Sequence, residues 1–549
     1  MIHIIMDFFN LKLTQTIRSF IIPLLSLLFW WGCGSKQTEK KSPNIIWLVA
    51  EDLSPEFLPM YGDLTTQIPH LEALAKDGVV FENAYSPVPV CAPARSALIT
   101  GMYPTTLGTH NMRTYNAYKE DNEPSIGIPS YSPRVLDGVK MFTQYLRAKG
   151  YYCTNNAKED YNFKKTTGAW DESSPKAHWK NRKAGQSFFS VFNFGITHES
   201  QIWNQANSPL LVDPKILNIP AVFPDTPEVR KDLAVNYSNL IRLDKQIGKI
   251  IDQLKAENLY ENSILFFYGD HGGPFPRYKR ALYETGIKVP LIIKFAKQQK
   301  GGTRNKDLIS FIDFAPSVLS LAGINPPEIM QGRAQFGAYR SAEKSEFIFA
   351  SSDRFDEQVD RLRALRWRNF KYIKNFHPEI SNAIPVSYRE QMSMMQNLNQ
   401  LWREGKLSKK VRQWFATPKP QEELYQIDND PYELNNLADK EAFKDTLVFL
   451  RKQMDTWILE TRDLGAIPEK ELIENWLPNG KKVQLEALTA SLEQESVSLT
   501  HPKKSSTIVW KTKKDSVWNV YTQPLKGIHS LQAKAVQIGF KESPVFTMD

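Results

Sequence analysis

The chain has 549 residues, 42% hydrophobic and 23% charged, a globular balance that excludes a disordered or low-complexity polymer. Three cysteines in so long a chain exclude a disulfide scaffold. The net charge of +9, with eight lysines against three acids in Thr500–Asp549, suits an anionic glycan, nucleic acid or membrane, and equally a solvated tail, so charge alone selects no partner.

Lys12 and Arg18 precede the apolar run Phe20–Trp31, which is shorter than the ~20 residues a spanning helix needs. A basic stretch, a short apolar run and small residues read as an export signal. Cys33, directly after that run, makes residues 1–33 resemble a bacterial lipoprotein signal in which Cys33 is lipidated; simple secretion with removal of Cys33 is the alternative. The expectation is an exported protein, in the periplasm or at the cell surface and anchored to the membrane by lipid, with residues 34–42 as a linker.

Three continuous apolar runs follow, each consistent with a strand buried on both faces. Asn44–Ala50 ends in Glu51-Asp52, Ser187–Phe194 ends in Gly-Ile-Thr-His198, and Ser263–Tyr268 ends in Gly269-Asp270-His271-Gly272. Helical-period segments, Pro69–Gly78 and Tyr237–Leu254 among them, lie between. This alternation predicts an α/β fold with a mixed, mostly parallel sheet flanked by helices. Ligands bind such sheets at the carboxyl ends of the strands, where all three runs place ionisable residues.

Beyond Asp353 the texture changes. Arg363–Ile373 reads as a strand, Met392–Trp414 as an amphipathic core stretch, and Lys440–Leu464 as a long helix. Short alternating runs from Ser498 predict a small β module. The expected layout is a main domain over 43–360, a smaller α+β subdomain over 361–475 and a β-rich tail over 498–549. Leu531–Phe546 is similar to the closing strands of β-sandwiches appended to some bacterial glycan-active enzymes.

Adjacent carboxylates in a buried site repel unless a proton or a metal neutralises them. Glu51, Asp52 and Asp270, with His271, form an oxygen-rich candidate set that suits Ca2+, which takes ~6–8 oxygens in loose geometry. Zinc is the competing metal, but only His198 and His271 end a predicted strand, with His110 a possible third.

Cys91 lies in Val88-Pro-Val-Cys-Ala-Pro-Ala-Arg95-Ser-Ala-Leu-Ile-Thr100-Gly101. Its bland reading is a buried structural cysteine, the reading that Cys153, inside a predicted strand, also receives. The stretch nevertheless resembles the type I sulfatase signature Cys-x-Pro-x-Arg followed by Thr-Gly. The likeness extends over Asn44–Leu437: Glu51-Asp52 and Asp270-His271 fall on the family's metal-binding pairs, KRALYETGIKVP at 279–290 resembles its Lys…Glu-Gly-Gly…Val-Pro run, and Phe311–Gly323 and Glu423–Leu437 match later landmarks. Gly272-Gly-Pro-Phe-Pro is also similar to sulfamidases, the N-sulfoglucosamine hydrolases.

The resemblance implies the alkaline-phosphatase-like fold and a formylglycine aldehyde made from Cys91 by a maturation enzyme. It further implies metal binding by Glu51, Asp52, residue 91, Asp270 and His271. Hydrated formylglycine would attack sulfur, activated by the metal and by Asp270. Arg95, Lys158 and the cation would hold the sulfate oxygens, and His198 or Lys279 would protonate the leaving group. His110, Lys158 and Lys279 are candidate substrate contacts. The expected substrate is a sulfated carbohydrate, with no nucleic-acid partner. Two positions depart from the pattern: Glu51 stands for an aspartate, and Asp160 for the histidine that would bond the formylglycine hydrate. The rival readings are a phosphatase or phosphodiesterase of the same superfamily and a non-catalytic glycan-binding lipoprotein.

Overall fold

The computed structural model describes residues 42–115 and 127–549. The export signal, Cys33 and the linker up to residue 41 lie outside the described residues. Among the described residues no helix is long and apolar enough to cross a membrane.

The central sheet runs in the order β4 (Glu172–Ser173), β3 (Tyr152–Asn156), β5 (Phe188–Phe194), β1 (Asn44–Ala50), β6 (Ser263–Gly269), β7 (Lys288–Lys294), β2 (Val79–Tyr85), β8 (Thr303–Ser310). Strand β7 is antiparallel to both neighbours, and the remaining pairs are parallel. The sheet is therefore mixed and mostly parallel, as the sequence predicts.

Alternation along β1 divides the interior into two layers. Ile46, Leu48 and Ala50 pack with α1 (Pro69–Asp77) and the long helix Pro227–Ala256, through Leu233, Tyr237, Leu240 and Ile247. Ile45, Trp47 and Val49 face the other way, onto Ala94 and Leu98 of α2 (Cys91–Thr100) and onto Phe314 and Val318. Trp47 meets Phe189, Tyr268 and Phe314 edge to face, contacts worth ~0.5–1.5 kcal/mol each beyond burial. Helices on both faces leave the strand ends as the open side of the sheet.

A second sheet, antiparallel throughout, has the order β12 (Glu422–Gln426), β11 (Phe370–Asn375), β10 (Gln358–Trp367), β9 (Phe347–Phe355). The helix Lys444–Glu460 covers it through Leu447, Leu450, Met454 and Trp457. The first strand of this sheet starts at Phe347. Arg363–Ile373 is a hairpin and not one strand, because Arg368 takes a left-handed φ of 50° and turns the chain. The tail module begins at Thr489, earlier than residue 498, and forms two small antiparallel sheets.

Candidate active site

In the sheet, β1 has β5 and β6 as its two neighbours, and Ala50 lies opposite both Phe194 and Gly269. At a strand spacing of ~4.8 Å, the three chemistry-bearing segments therefore emerge within a strip about 10 Å wide. Asp52 has a left-handed φ of 49°, and its N–H donates to Asp270 Oδ1 at 3.1 Å. Gly272 permits a close crossing: a Cβ there would lie 2.0 Å from the Thr285 carbonyl oxygen, while its N–H donates to Gly286 O at 2.8 Å. That crossing brings the loop carrying Lys279 over the strand ends.

Helix α2 supplies the remaining centre. Cys91 is its first residue, and Arg95, four residues on, shares its face. All ten residues of α2 are buried, so the helix is fixed on every side. Arg95 donates through Nε and a terminal nitrogen to Asp270 Oδ2 at 3.2 and 3.0 Å, and through its other terminal nitrogen to Asn193 Oδ1 at 2.6 Å. Cys91 Sγ sits 3.3 Å from His271 Nε2, 3.8 Å from Lys279 Nζ and 3.9 Å from Asp52 Oδ1.

A chain of buried charges positions these groups. Lys279 donates to both oxygens of Asp52 at 3.0 and 2.8 Å, lies 3.1 Å from Glu199, and is 3.2 Å from His198 Nε2. Glu199 accepts both terminal nitrogens of Arg280 at 2.8 and 2.9 Å, and Arg280 also donates to Asp356 at 2.7 Å. Burial raises the Asp52 carboxyl, but Lys279, His198 and His271 outweigh it and hold the group well below the usual carboxylate range. Burial likewise opposes the Cys91 thiolate, yet the ammonium groups of Lys158 and Lys279 bring the thiol down to about 6. The N-terminus of α2 favours an anion at the same atom.

Asp52, Cys91, Asp270 and His271 bring ligand-type atoms within 4.8 Å of one another, all buried. His271 Nδ1 lies 2.9 Å from Gly272 O, a partner that can only accept, so the ring donates there, while Nε2 points into the cluster, 3.1 Å from Asp52 Oδ1. Two carboxylates, one imidazole nitrogen and residue 91 are a donor set that fits a divalent cation.

Of the five expected metal residues, Glu51 does not join this group. Its carboxylate lies 2.8 Å from Lys158 Nζ, which balances its charge, and it forms a second candidate metal group with Cys91 and His198. Lys158 also reaches Asp160 at 3.5 Å. Glu51, Lys158, Asp160 and Asn193 line a cavity of about 800 Å3, whereas Cys91, Arg95 and Lys279 lie buried beneath it. His198 is 9% exposed and holds Ser200 Oγ at 2.9 Å through Nδ1.

His110 is 2% exposed and sits beside Asp353 and Arg363 of the second sheet rather than among the charged groups around Cys91. The physical reason is that Asn162 and Arg354 pin residues 109–112 from both sides. Cys153 is a core residue. Asn193, Glu199 and Arg280 are site residues that sequence reasoning missed. Asn193 had a signal, being the polar break in an apolar run, while Glu199 and Arg280 adjoin His198 and Lys279.

Comparison with known proteins follows the same lines. The family model described as Sulfatase matches residues 43–324, and that described as N-sulphoglucosamine sulphohydrolase, C-terminal, matches residues 269–413. An ulvan-active sulfatase of Formosa agariphila is 41% identical over 558 aligned positions, covering 93% of this chain and 92% of the relative. Human N-sulphoglucosamine sulphohydrolase is 23% identical, covering 76% and 90%. A solved structure of a protein in complex with its substrate D-glucosamine-2-N,6-O-disulfate shares the fold, with a TM-score of 0.56 at 16% identity over 78% of this chain and 100% of that one. With the signature cysteine and arginine on one face of a buried helix at the strand ends, and a relative matched over nearly its full length, the chain belongs to the sulfatase family and is a sulfuric ester hydrolase.

Proposed function

We propose that this enzyme removes sulfate from a sulfated polysaccharide, ulvan being the first candidate, by way of a formylglycine made from Cys91 and beside a bound calcium ion. The observation that carries the reading is the convergence of Lys158, Lys279, Arg95 and His271 around buried residue 91. A tetrahedral oxyanion needs positive charge from several directions, and preorganised contacts of this kind are worth about 10²–10³ in rate each. The 41% identity to an ulvan-active sulfatase supports the substrate class. Heparin-type N-sulfate is the second reading, supported by the second family match and the more distant human relative.

Hydrated formylglycine at position 91 supplies the hydroxyl nucleophile. Asp52, Asp270 and His271 would hold the cation, which would supply positive charge beside residue 91. Arg95, braced by Asp270 and Asn193, keeps a fixed orientation beneath the sulfate. Lys158 reaches a sulfate oxygen from the cavity side while Glu51 and Asp160 hold its ammonium in place. His198 or Lys279 gives the leaving oxygen its proton. Their mutual contact at 3.2 Å makes them one proton-holding unit.

The apolar leader and Cys33 support an exported, lipid-anchored enzyme, and Cys91 a formylglycine-generating partner. The test is sulfate release from ulvan, heparin and chondroitin sulfate by protein whose aldehyde has been verified by peptide mass, beside Cys91→Ala, with bound calcium determined by elemental analysis. Release by wild type alone, from ulvan first, is expected. Turnover by Cys91→Ala at the wild-type rate would refute the nucleophile, and no release by aldehyde-bearing protein would refute the substrate class.

A further inference from the structure

The wall of the cavity above the sulfate site carries a cation with no task in the steps described. Arg113 lines the cavity together with Lys158 and Asp160. It is exposed to the cavity, and among the described residues its guanidinium makes no hydrogen bond or ion pair. It lies within electrostatic reach of the Asp160 carboxylate and 6.0 Å from the centre of the Tyr388 ring. Tyr388 in turn lies 6.2 Å from the His198 ring and 5.1 Å from Trp203.

The backbone is built to hold Arg113 there. Its φ is 55°, a left-handed value that costs a non-glycine residue about 1–3 kcal/mol and persists only where neighbours enforce it. The enforcing residue is Asn162, itself buried and left-handed at φ 58°. Its amide nitrogen donates to Thr109 O and Asn111 O, and its side-chain oxygen accepts the Thr114 N–H at 3.1 Å. On the other side, Met112 N–H donates to Arg354 O at 2.8 Å. The loop 109–114 is therefore clamped onto the 160–162 turn, which sets Arg113 and Asp160 on one wall. Asp160 is held ionised, against burial, by Lys158, Arg113 and Arg95 in that order.

The cavity, about 800 Å3, exceeds what one sulfate group fills and lies within the ~300–1,000 Å3 of ligand sites. Resting on the reading that the substrate is a sulfated polysaccharide, we infer that Arg113 is a specificity-determining residue: it binds a second anionic group, a uronate carboxylate or a second sulfate, on the sugar at the site or its neighbour. The guanidinium fork pairs with either anion in two parallel hydrogen bonds.

The test compares aldehyde-verified wild type, Arg113→Asn and Arg113→Lys. Asparagine tolerates the left-handed backbone, and thermal unfolding checks that each variant is folded. Substrates are ulvan and heparin oligosaccharides, native and carboxyl-reduced, and glucosamine carrying one sulfate or two. On the substrate with the cognate anion, Arg113→Asn is expected to raise KM about 10- to 100-fold with kcat within a few-fold, and Arg113→Lys to recover part of the loss. Removing the substrate anion should cost wild type the same factor, and removing both should cost no more than either alone. The carboxyl-reduced arm identifies a carboxylate and the singly sulfated arm a second sulfate. Equal losses for Arg113→Asn on substrates with and without the anion, or no loss, would overturn the inference while leaving the sulfatase reading intact. No sulfate released from any native oligosaccharide by wild type would instead bring down the polysaccharide reading, and this inference with it.

Discussion

Glu284 lies in the loop that carries Lys279 and joins that loop to the second sheet. Its carboxylate accepts from Lys371 Nζ at 3.0 Å and from Tyr85 OH at 2.9 Å, with Arg366 at 3.9 Å, all buried. Burial raises this carboxyl, but Lys371, then Arg366 and Lys288, bring it down to about 2 from 4.5. A carboxylate depressed that far contributes about 3 kcal/mol at neutral pH. The sign follows from the depressed value: the contribution is complete above the unfolded value of 4.5 and is lost as pH falls toward 2, more than half of it by about pH 3. Glu284→Gln should therefore destabilise the protein, but by less than the full figure. Glu433, pushed up to about 7 by burial and by repulsion from Glu284, lies 3.6 Å from Lys371 and ionises more readily once Glu284 is neutral. We expect a loss of about 2 kcal/mol for Glu284→Gln and at least about 3 for Glu284→Gln with Glu433→Gln, read by urea unfolding at pH 7. The gap between wild type and the single variant should shrink between pH 4.5 and 3. A loosened loop should also lower kcat through Lys279. Unchanged urea midpoints for the double variant, or a gap that widens on acidification, would refute the reasoning.

Three further outcomes are expected. Cys91→Ser should retain a covalent sulfate after reaction with substrate, because a serine ester has no second hydroxyl to expel it; intact-protein mass detects it, and multiple turnover at the wild-type rate would contradict the mechanism. In unconverted, metal-free protein the Cys91 thiolate should appear near pH 6 by ultraviolet absorbance, and Lys158→Met should move its appearance to higher pH; a transition staying near 9 in wild type would show that the two ammonium groups do not act on it. His198→Ala should lose about 10²–10⁴ in kcat on sugar sulfates and far less on an aryl sulfate, whose leaving group needs no proton; equal losses on both would remove His198 as the acid.

How much of this was legible in the sequence depends on the range of the interactions involved. The strands β1, β5 and β6 were readable because burial on both faces leaves continuous apolar runs, and their ends marked the site. The helix Pro227–Ala256 was read only from Tyr237, since its first turns bury residues such as Asp232, Asn236 and Asn239 that do not look like core. The β10–β11 hairpin was hidden because its turn uses Arg368-Asn369 without glycine or proline. Within the site, Asp270 was readable from its place at a strand end, whereas Cys91 and Arg95 were readable only through the likeness of residues 91–101 to the sulfatase signature. Arg113, Glu199 and Arg280 depend on which loops meet, and the place of His110 beside the second sheet depends on residues distant in sequence.

The two departures from the family pattern, Glu51 and Asp160, looked independent in the sequence, and each put the chemistry in doubt. In space they meet on one ammonium: Lys158 lies 2.8 Å from Glu51 and 3.5 Å from Asp160. Glu51 has one methylene more than the aspartate it replaces, and it uses that reach to join Lys158 rather than the group of Asp52, Asp270 and His271. Replacing a histidine by Asp160 adds a negative charge to the same wall, which Lys158 and Arg113 share. In this structure the Glu51 carboxylate pairs with the lysine that lines the cavity. A sulfate entering the site must compete with Glu51 and Asp160 for Lys158. That competition weakens binding of a lone sulfate and increases the share of affinity that the rest of the substrate must supply. On the proposed function, the departures would shift recognition from the sulfate toward the sugars that carry it, which is where Arg113 stands.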